Sequence, residues 1–162
     1  MMGGRKQDDG NVEAARKKEL EYTRTSLLLN NNELRTLNGD RGLYSTLELY
    51  VMKQPSQLLW LNLSYNYLTK IDDELLKFPN LKSLQLHGNY IGDLAEVEKL
   101  SKLENLISLT LNGNPIEAIK GYRMYVLGLL YKERETLKKL DSTVITNAEY
   151  DNAVVWLSLI HI

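Results

Sequence analysis

His87 stands in LQLHGNYI, and the acids Asp72, Asp73 and Glu74 run together in TKIDDELL. These are the residue types from which acid–base or metal chemistry is assembled. Both chemistries need convergence: a general base needs a group to orient it, and a metal needs several ligands closing on one point. The residues expected around His87 are Ser64, Gln85 and Asn112, which predicts a surface polar contact. The three acids fall on a return segment between strands, where solvated carboxylates are the ordinary expectation. The chain is therefore expected to hold no catalytic residue, no metal site and no cofactor, and not to be an enzyme.

Asparagine carries the regular polar signal. Asn32, Asn66, Asn89 and Asn114 each follow leucines three and five positions earlier: Leu29 and Leu27, Leu63 and Leu61, Leu86 and Leu84, Leu111 and Leu109. In the last three units another leucine stands eight positions before the asparagine, at Leu58, Leu81 and Leu106, whereas the first unit has Arg24 there. A side-chain amide offers two donors and an acceptor, enough to satisfy backbone groups that a tight turn buries and the adjoining coil cannot reach. The four asparagines are expected to form a structural ladder through a stack.

The elements that would position this ladder follow from the spacing. SLLLN, WLNLS, SLQLH and SLTLN alternate with period two, the signal of short strands buried on one face. Apolar residues two and five places after the asparagine, such as Leu68 with Ile71, mark the returning arm. A single such coil cannot cover its own leucines; about three or more stacked copies can. The steps of 23 residues (Asn66 to Asn89) and 25 residues (Asn89 to Asn114) suit this, and the 34 residues between Asn32 and Asn66 predict an insertion. In that insertion Leu43, Leu47, Tyr50 and Val51 share a helical face, stopped by Pro55. Val97, Leu100 and Leu103 predict a second convex helix. Beyond Asn114, Tyr122, Tyr125, Val126, Leu129 and Leu130 predict an inward-facing helix, and LKKLD (137–141) a last short strand. With a charged outer face on Lys132, Glu133, Arg134 and Glu135, this segment from about 115 reads as a terminal cap.

Bulk properties narrow the setting. A net charge of −1 with 25% charged residues gives no global basic field for nucleic acid or anionic lipid. The absence of cysteine excludes disulfides and thiolate chemistry and fits a reducing compartment. VLGLLY (126–131) falls far short of the roughly 20 apolar residues a spanning helix needs. Residues 1–22 show no secretory or myristoylation signal and are expected to form a disordered or partly helical arm. The last six residues, LSLIHI (157–162), resemble the translation of a synthetic sequencing adaptor. They are set aside as a scar following a repeat domain at 23–156, which leaves the native C-terminus absent and His161 without functional weight.

The repeats resemble the leucine-rich repeat class shared by the SDS-twenty-two type phosphatase regulator, axonemal dynein light chain 1 and the spliceosomal leucine-rich A-prime protein. NP (114–115), GYRMYV (121–126), LKKLD and VIT (144–146) look like the cap of that class. More narrowly, LLLNNNEL (27–34), LNLSYNYLTKID (61–72), LQLHGNYI, SLTLNGNPIE (108–117) and KGYRMYVL (120–127) resemble the leucine-rich repeat-containing protein 51 family, which continues beyond Trp156. Residues 1–22 carry no motif of that family. The resemblance implies an α/β solenoid with short parallel strands on a concave face, helices and loops on a convex face, and a C-terminal cap. It implies a non-enzymatic protein of the cytoplasm or of a cilium or flagellum.

In that architecture the residues between the buried leucines point outward in rows: Ser26, Trp60, Ser83 and Ser108; then Leu28, Asn62, Gln85, Thr110 and Asp141; then Asn30, Ser64, His87 and Asn112. Among small polar letters, Trp60 and Leu28 stand out as an interface anchor on adjacent strands. The alternative is that Trp60 folds down against the N-terminal arm or the insertion. The expected protein-binding set is Leu28, Trp60, Asn62, Gln85, His87 and Thr110, receiving a helix or peptide segment of a partner protein, for which the resemblance points to an axonemal assembly. The chain is expected to be monomeric alone, with no membrane partner. Nucleic acid is disfavoured, because the rows contain no lysine or arginine and only Lys82 and Lys139 lie near their edges; a ribonucleoprotein component is the rival reading.

Overall fold

A computed structural model describes residues 25–130 and 136–160. The expected N-terminal arm, the charged stretch 132–135 and His161 lie outside the described residues. Four three-residue strands, β1 (Ser26–Leu28), β2 (Trp60–Asn62), β3 (Ser83–Gln85) and β4 (Ser108–Thr110), are followed by the two-residue strands β5 (Lys139–Leu140) and β6 (Thr143–Val144). They form one sheet in chain order, parallel from β1 through β5.

The leucine spacing sets the register. Leu27, Leu61, Leu84, Leu109 and Leu140 pair in sequence across the sheet, all on the same face. A strand sends alternate side chains to opposite faces, so Leu58, Leu61, Leu63 and their counterparts in later coils meet in one interior. Leu81, Leu84, Leu86, Leu109 and Leu111 are fully buried there. Each such side chain contributes about 1.5–3 kcal/mol relative to exposure. The first coil is the edge: Leu27 and Leu29 are only half-buried.

The returning arms close the other side. The insertion forms helix α1 (Leu43–Tyr50), and the third arm forms α2 (Ala95–Glu98) running into a 3-10 turn at Lys99–Lys102. Val97, Leu100 and Leu103 are buried, as their spacing predicts. In α1, Leu47 is buried but Tyr50, expected on the same inward face, is exposed. The chain tightens at that point, with the N–H groups of both Val51 and Met52 donating to Leu47 O, and Met52 takes the inward place.

The cap is more elaborate than its leucines foretell. Helix α3 (Tyr122–Leu130) buries Tyr122, Val126 and also Leu127, while Tyr125, Leu129 and Leu130 are half-buried against the core. β6 then turns back antiparallel to β5, a sixth strand where five were expected. Helix α4 (Asn147–Ile160) packs on α3 and takes in residues 157–160 of the expected adaptor-derived segment. Gly128 permits this approach, since a Cβ there would lie 3.2 Å from Ala153 O. Trp156 meets Tyr125 edge-on at 4.8 Å, Arg123 Nε donates to Glu149 Oε1 at 2.9 Å, and Tyr150 Oη donates to Leu137 O at 2.6 Å. Among the described residues no helix is long and apolar enough to cross a membrane.

Candidate functional site

Three asparagines hold the turns that end the strands. Asn89 Nδ2 donates to Leu86 O in its own coil (2.9 Å) and to Leu63 O in the coil before (3.0 Å), while its Oδ1 accepts from Leu68 N (3.1 Å). Asn114 repeats the pattern with Leu111 O, Leu86 O and Ile91 N. Asn66 bonds Leu63 O and Leu29 O and accepts from both Asn32 N and Leu34 N. Every bond that leaves the coil points backward along the chain. Asn32, expected in the same ladder, is exposed, and its amide donates only to Asn30 O. It lacks a preceding coil among the described residues, so its spacing alone does not make it a rung.

At the far end Asp141 caps the stack. Its Oδ1 accepts from Leu111 N (2.7 Å) and Asn112 N (3.0 Å), and its Oδ2 from Tyr122 Oη (2.8 Å). Burial, with this carboxylate close by, pushes the Tyr122 phenol strongly upward in pKa. The acids on the returning arms are not a solvated run. Asp72 accepts from Leu37 N and Thr36 Oγ1, and Glu74, only 5% exposed, accepts from Tyr44 N and pairs with Lys77. Glu96 likewise accepts from Ile71 N and pairs with Lys99, raising the lysine's pKa. Only Asp73 of the run is exposed. Among the described residues no cluster of acids and histidines could hold a metal.

The open face of the sheet bears the rows set by the register. Ser26, Trp60, Ser83, Ser108 and Lys139 form one row, and Leu28, Asn62, Gln85 and Thr110 the next. Lys139 is thus inside a row and not merely at its edge, in the same register that sets Asp141 level with Thr110. Trp60 is 56% exposed and Leu28 is 70% exposed, so Trp60 does not fold down out of solvent. Ser83, directly opposite Trp60, is buried. Asn62 is half-buried and its Oδ1 is occupied by Ser64 Oγ and Ser64 N, which places Ser64 inside.

His87 Nδ1 and Thr110 Oγ1 share a hydrogen bond of 2.8 Å, and the Tyr65 ring meets the imidazole edge-on at 5.0 Å. The partner is therefore Thr110 in the adjacent row, not Ser64, Gln85 or Asn112. Burial lowers the His87 pKa, with Asp141 pulling it the other way. Tyr65 is the residue that spacing alone misses. It occupies the position before the ladder asparagine, where Gly88 and Gly113 have φ of 69° and 72°, and it adopts φ 53° itself. A left-handed conformation at a bulky residue costs about 1–3 kcal/mol. Its ring, 58% exposed overall, lies over Gly88, whose absent Cβ would be 2.5 Å from it. The signal was present in SYN against HGN and NGN.

A stack of leucine-cored coils, each closed by an asparagine and presenting one strand to an open face, is the structure of a leucine-rich repeat. The chain belongs to that family: the family model described as leucine-rich repeat matches residues 28–155. It is 46% identical over 131 residues to leucine-rich repeat-containing protein 51 of Rattus norvegicus, covering 81% of this chain and 64% of that protein. The Homo sapiens protein of the same name is 45% identical over the same 131 residues, with the same shares covered. The chain thus spans somewhat less than two thirds of these relatives' length. U2 small nuclear ribonucleoprotein A' of Neurospora crassa is 39% identical over 75 residues, 46% of this chain and 28% of that protein. A solved Drosophila melanogaster SNF/U2A' complex contains a chain matching with a TM-score of 0.66 and 21% identity, covering 99% of this chain and 83% of that one, a likeness of fold.

Proposed function

We propose that this protein is a non-enzymatic interaction module whose open face receives a helix or extended segment of another protein. The observation that carries this is the exposure of Leu28 and Trp60, diagonal to one another on adjacent strands, on a face whose rows are otherwise polar. Exposed tryptophan beside leucine is the composition of an interface anchor, and monomer surfaces seldom display it without use. From β1 to β5 the face is about 19 Å across at 4.8 Å per strand, a span that about 13 residues of helix would cross. Among the described residues no nucleophile, base and orienting group converge on it. The expected binding set is Leu28, Trp60, Gln85, His87 and Thr110, to which Tyr65 is added; Asn62 contributes its amide nitrogen only.

The assembly proposed is cytoplasmic or ciliary, on the strength of the resemblance to a class that includes axonemal dynein light chain 1, with the chain monomeric until it meets its partner. Proximity labelling in ciliated cells tests this, comparing the parent with Trp60→Ala. Recovery of axonemal proteins by the parent and their loss with the variant, at an unchanged melting temperature, is the expected result. Equal recovery by both would end the open-face reading. A second reading, a ribonucleoprotein component, draws on the likeness to U2 small nuclear ribonucleoprotein A'; recovery of splicing factors in the same experiment would favour it.

A further inference from the structure

The open face is polar in the electrical sense. Its anchor row reads Ser26, Trp60, Ser83, Ser108, Lys139, so the indole and the ammonium stand at two ends of a floor made of two serines. Immediately beside that row, Lys82 O accepts from Ile107 N, and Ile107 O accepts from Lys138 N, so Lys82, Ile107 and Lys138 also sit on consecutive coils. All three lysines are exposed, and none has an ion-pair partner among the described residues. The acid nearest in sequence, Asp141, is committed to two backbone amides and the Tyr122 hydroxyl. The chain's net charge of −1 hides this basic corner.

We infer that the occupant of the open face is a bipolar helical segment, apolar where it meets Leu28, Trp60 and Tyr65, and acidic where it meets Lys138 and Lys139, with Lys82 flanking the path between. This rests on the open-face reading and adds the partner's chemistry and polarity to it. Trp60 and Lys139 are three strands apart, about 14 Å at 4.8 Å per strand. On a helix rising 1.5 Å per residue, the positions that share a face and span this reach are about seven and eleven residues from the anchor. The apolar end supplies burial, and the lysines select against basic or neutral segments and speed encounter. A few lysines without arginine, set at one end of a row whose other end is apolar, make a small phosphate site and a good carboxylate one; a nucleic acid would ask for a longer basic track.

The test is a displayed library of random 16-residue peptides panned on the parent protein. The enriched peptides should carry leucine or an aromatic residue with aspartate or glutamate about seven or eleven positions away. Synthesised singly, they should bind about tenfold more weakly to Lys138→Glu/Lys139→Glu, and more weakly as salt is raised, but equally to the control Lys70→Glu. Lys138→Gln/Lys139→Gln, which adds no repulsion, should lie between. Peptides that need Trp60 yet carry no acids, or ignore charge reversal, would overturn the inference and leave the open-face reading standing. A pool with no Trp60-dependent binder would remove both. A labelled 12-residue oligouridine that binds the parent and not the charge-reversed variant, with no acidic peptides enriched, would replace the peptide by RNA.

Discussion

Replacing Asn89 by alanine tests the ladder at its middle rung, where bond counting gives an unequal result. Asn89 is 3% exposed and makes three hydrogen bonds. Two of its acceptors have other donors: Leu63 O also receives Asn66 Nδ2, and Leu86 O also receives Asn114 Nδ2. The group left wholly without a partner is Leu68 N–H. One buried unsatisfied group costs about 1–3 kcal/mol, which for a chain of this size lowers the melting temperature by about 2–12 °C. Asn114→Ala strands two groups, Ile91 N–H and Leu111 O, and should cost about 1–3 kcal/mol more. Asn89→Asp keeps the acceptor for Leu68 N but turns an oxygen toward Leu63 O and Leu86 O, so it should be worse than alanine at pH 7. That carboxyl would have a folded pKa raised above its unfolded value, so its deficit should shrink as pH falls toward the unfolded carboxylate range. Urea unfolding followed by the fluorescence of Trp60 and Trp156 reads both ends of the stack, with the slope on denaturant unchanged if cooperativity survives. Equal losses at Asn89 and Asn114, or an aspartate variant as stable as the parent, would refute the accounting.

Gly88→Ala should destabilise by more than about 1 kcal/mol, since φ 69° and the Tyr65 ring both oppose a methyl; a Tyr65→Gly background should recover part of the loss, measured by thermal melts. Asp141→Ala should lower the melting temperature by freeing two amides and the Tyr122 hydroxyl, and Asp141→Asn should fall between, because its Oδ1 can still accept. Glu149, whose pKa is lowered chiefly by Arg123 and then by Thr146 N–H, stabilises the fold above its unfolded pKa, and this is lost as pH falls through the folded one. Glu149→Gln should therefore flatten the acid side of the stability curve, visible in melts between pH 3 and 6, by a small amount at so open a site.

The interior was legible because leucine spacing and strand pleat obey the same period, and one register choice buries them all. Asn66, Asn89 and Asn114 followed from that register. Asn32 shares the leucines three and five positions earlier but not the one eight positions earlier, where Arg24 stands, and that gap already marked its coil as the edge. The acids misled for a related reason: Asp72 serves an amide 35 residues earlier, and Glu74 one 30 residues earlier, partners that exist only once the coils are stacked. β6 has two residues and no periodicity to announce it. On the open face the rows were readable, Lys139 included once Asp141 is set beside Thr110; the exposure of Trp60 was not, since spacing says which face a side chain takes and not what covers it.

β6 also sets a direction for growth. It lies antiparallel along the outer edge of β5 and takes the place where a further parallel strand would pair. New coils could be spliced between existing ones, where each amide reaches back to the coil before it, and the array would lengthen without complaint. Adding one directly after β5 would first require the eviction of β6, so the cap seals that edge of the sheet.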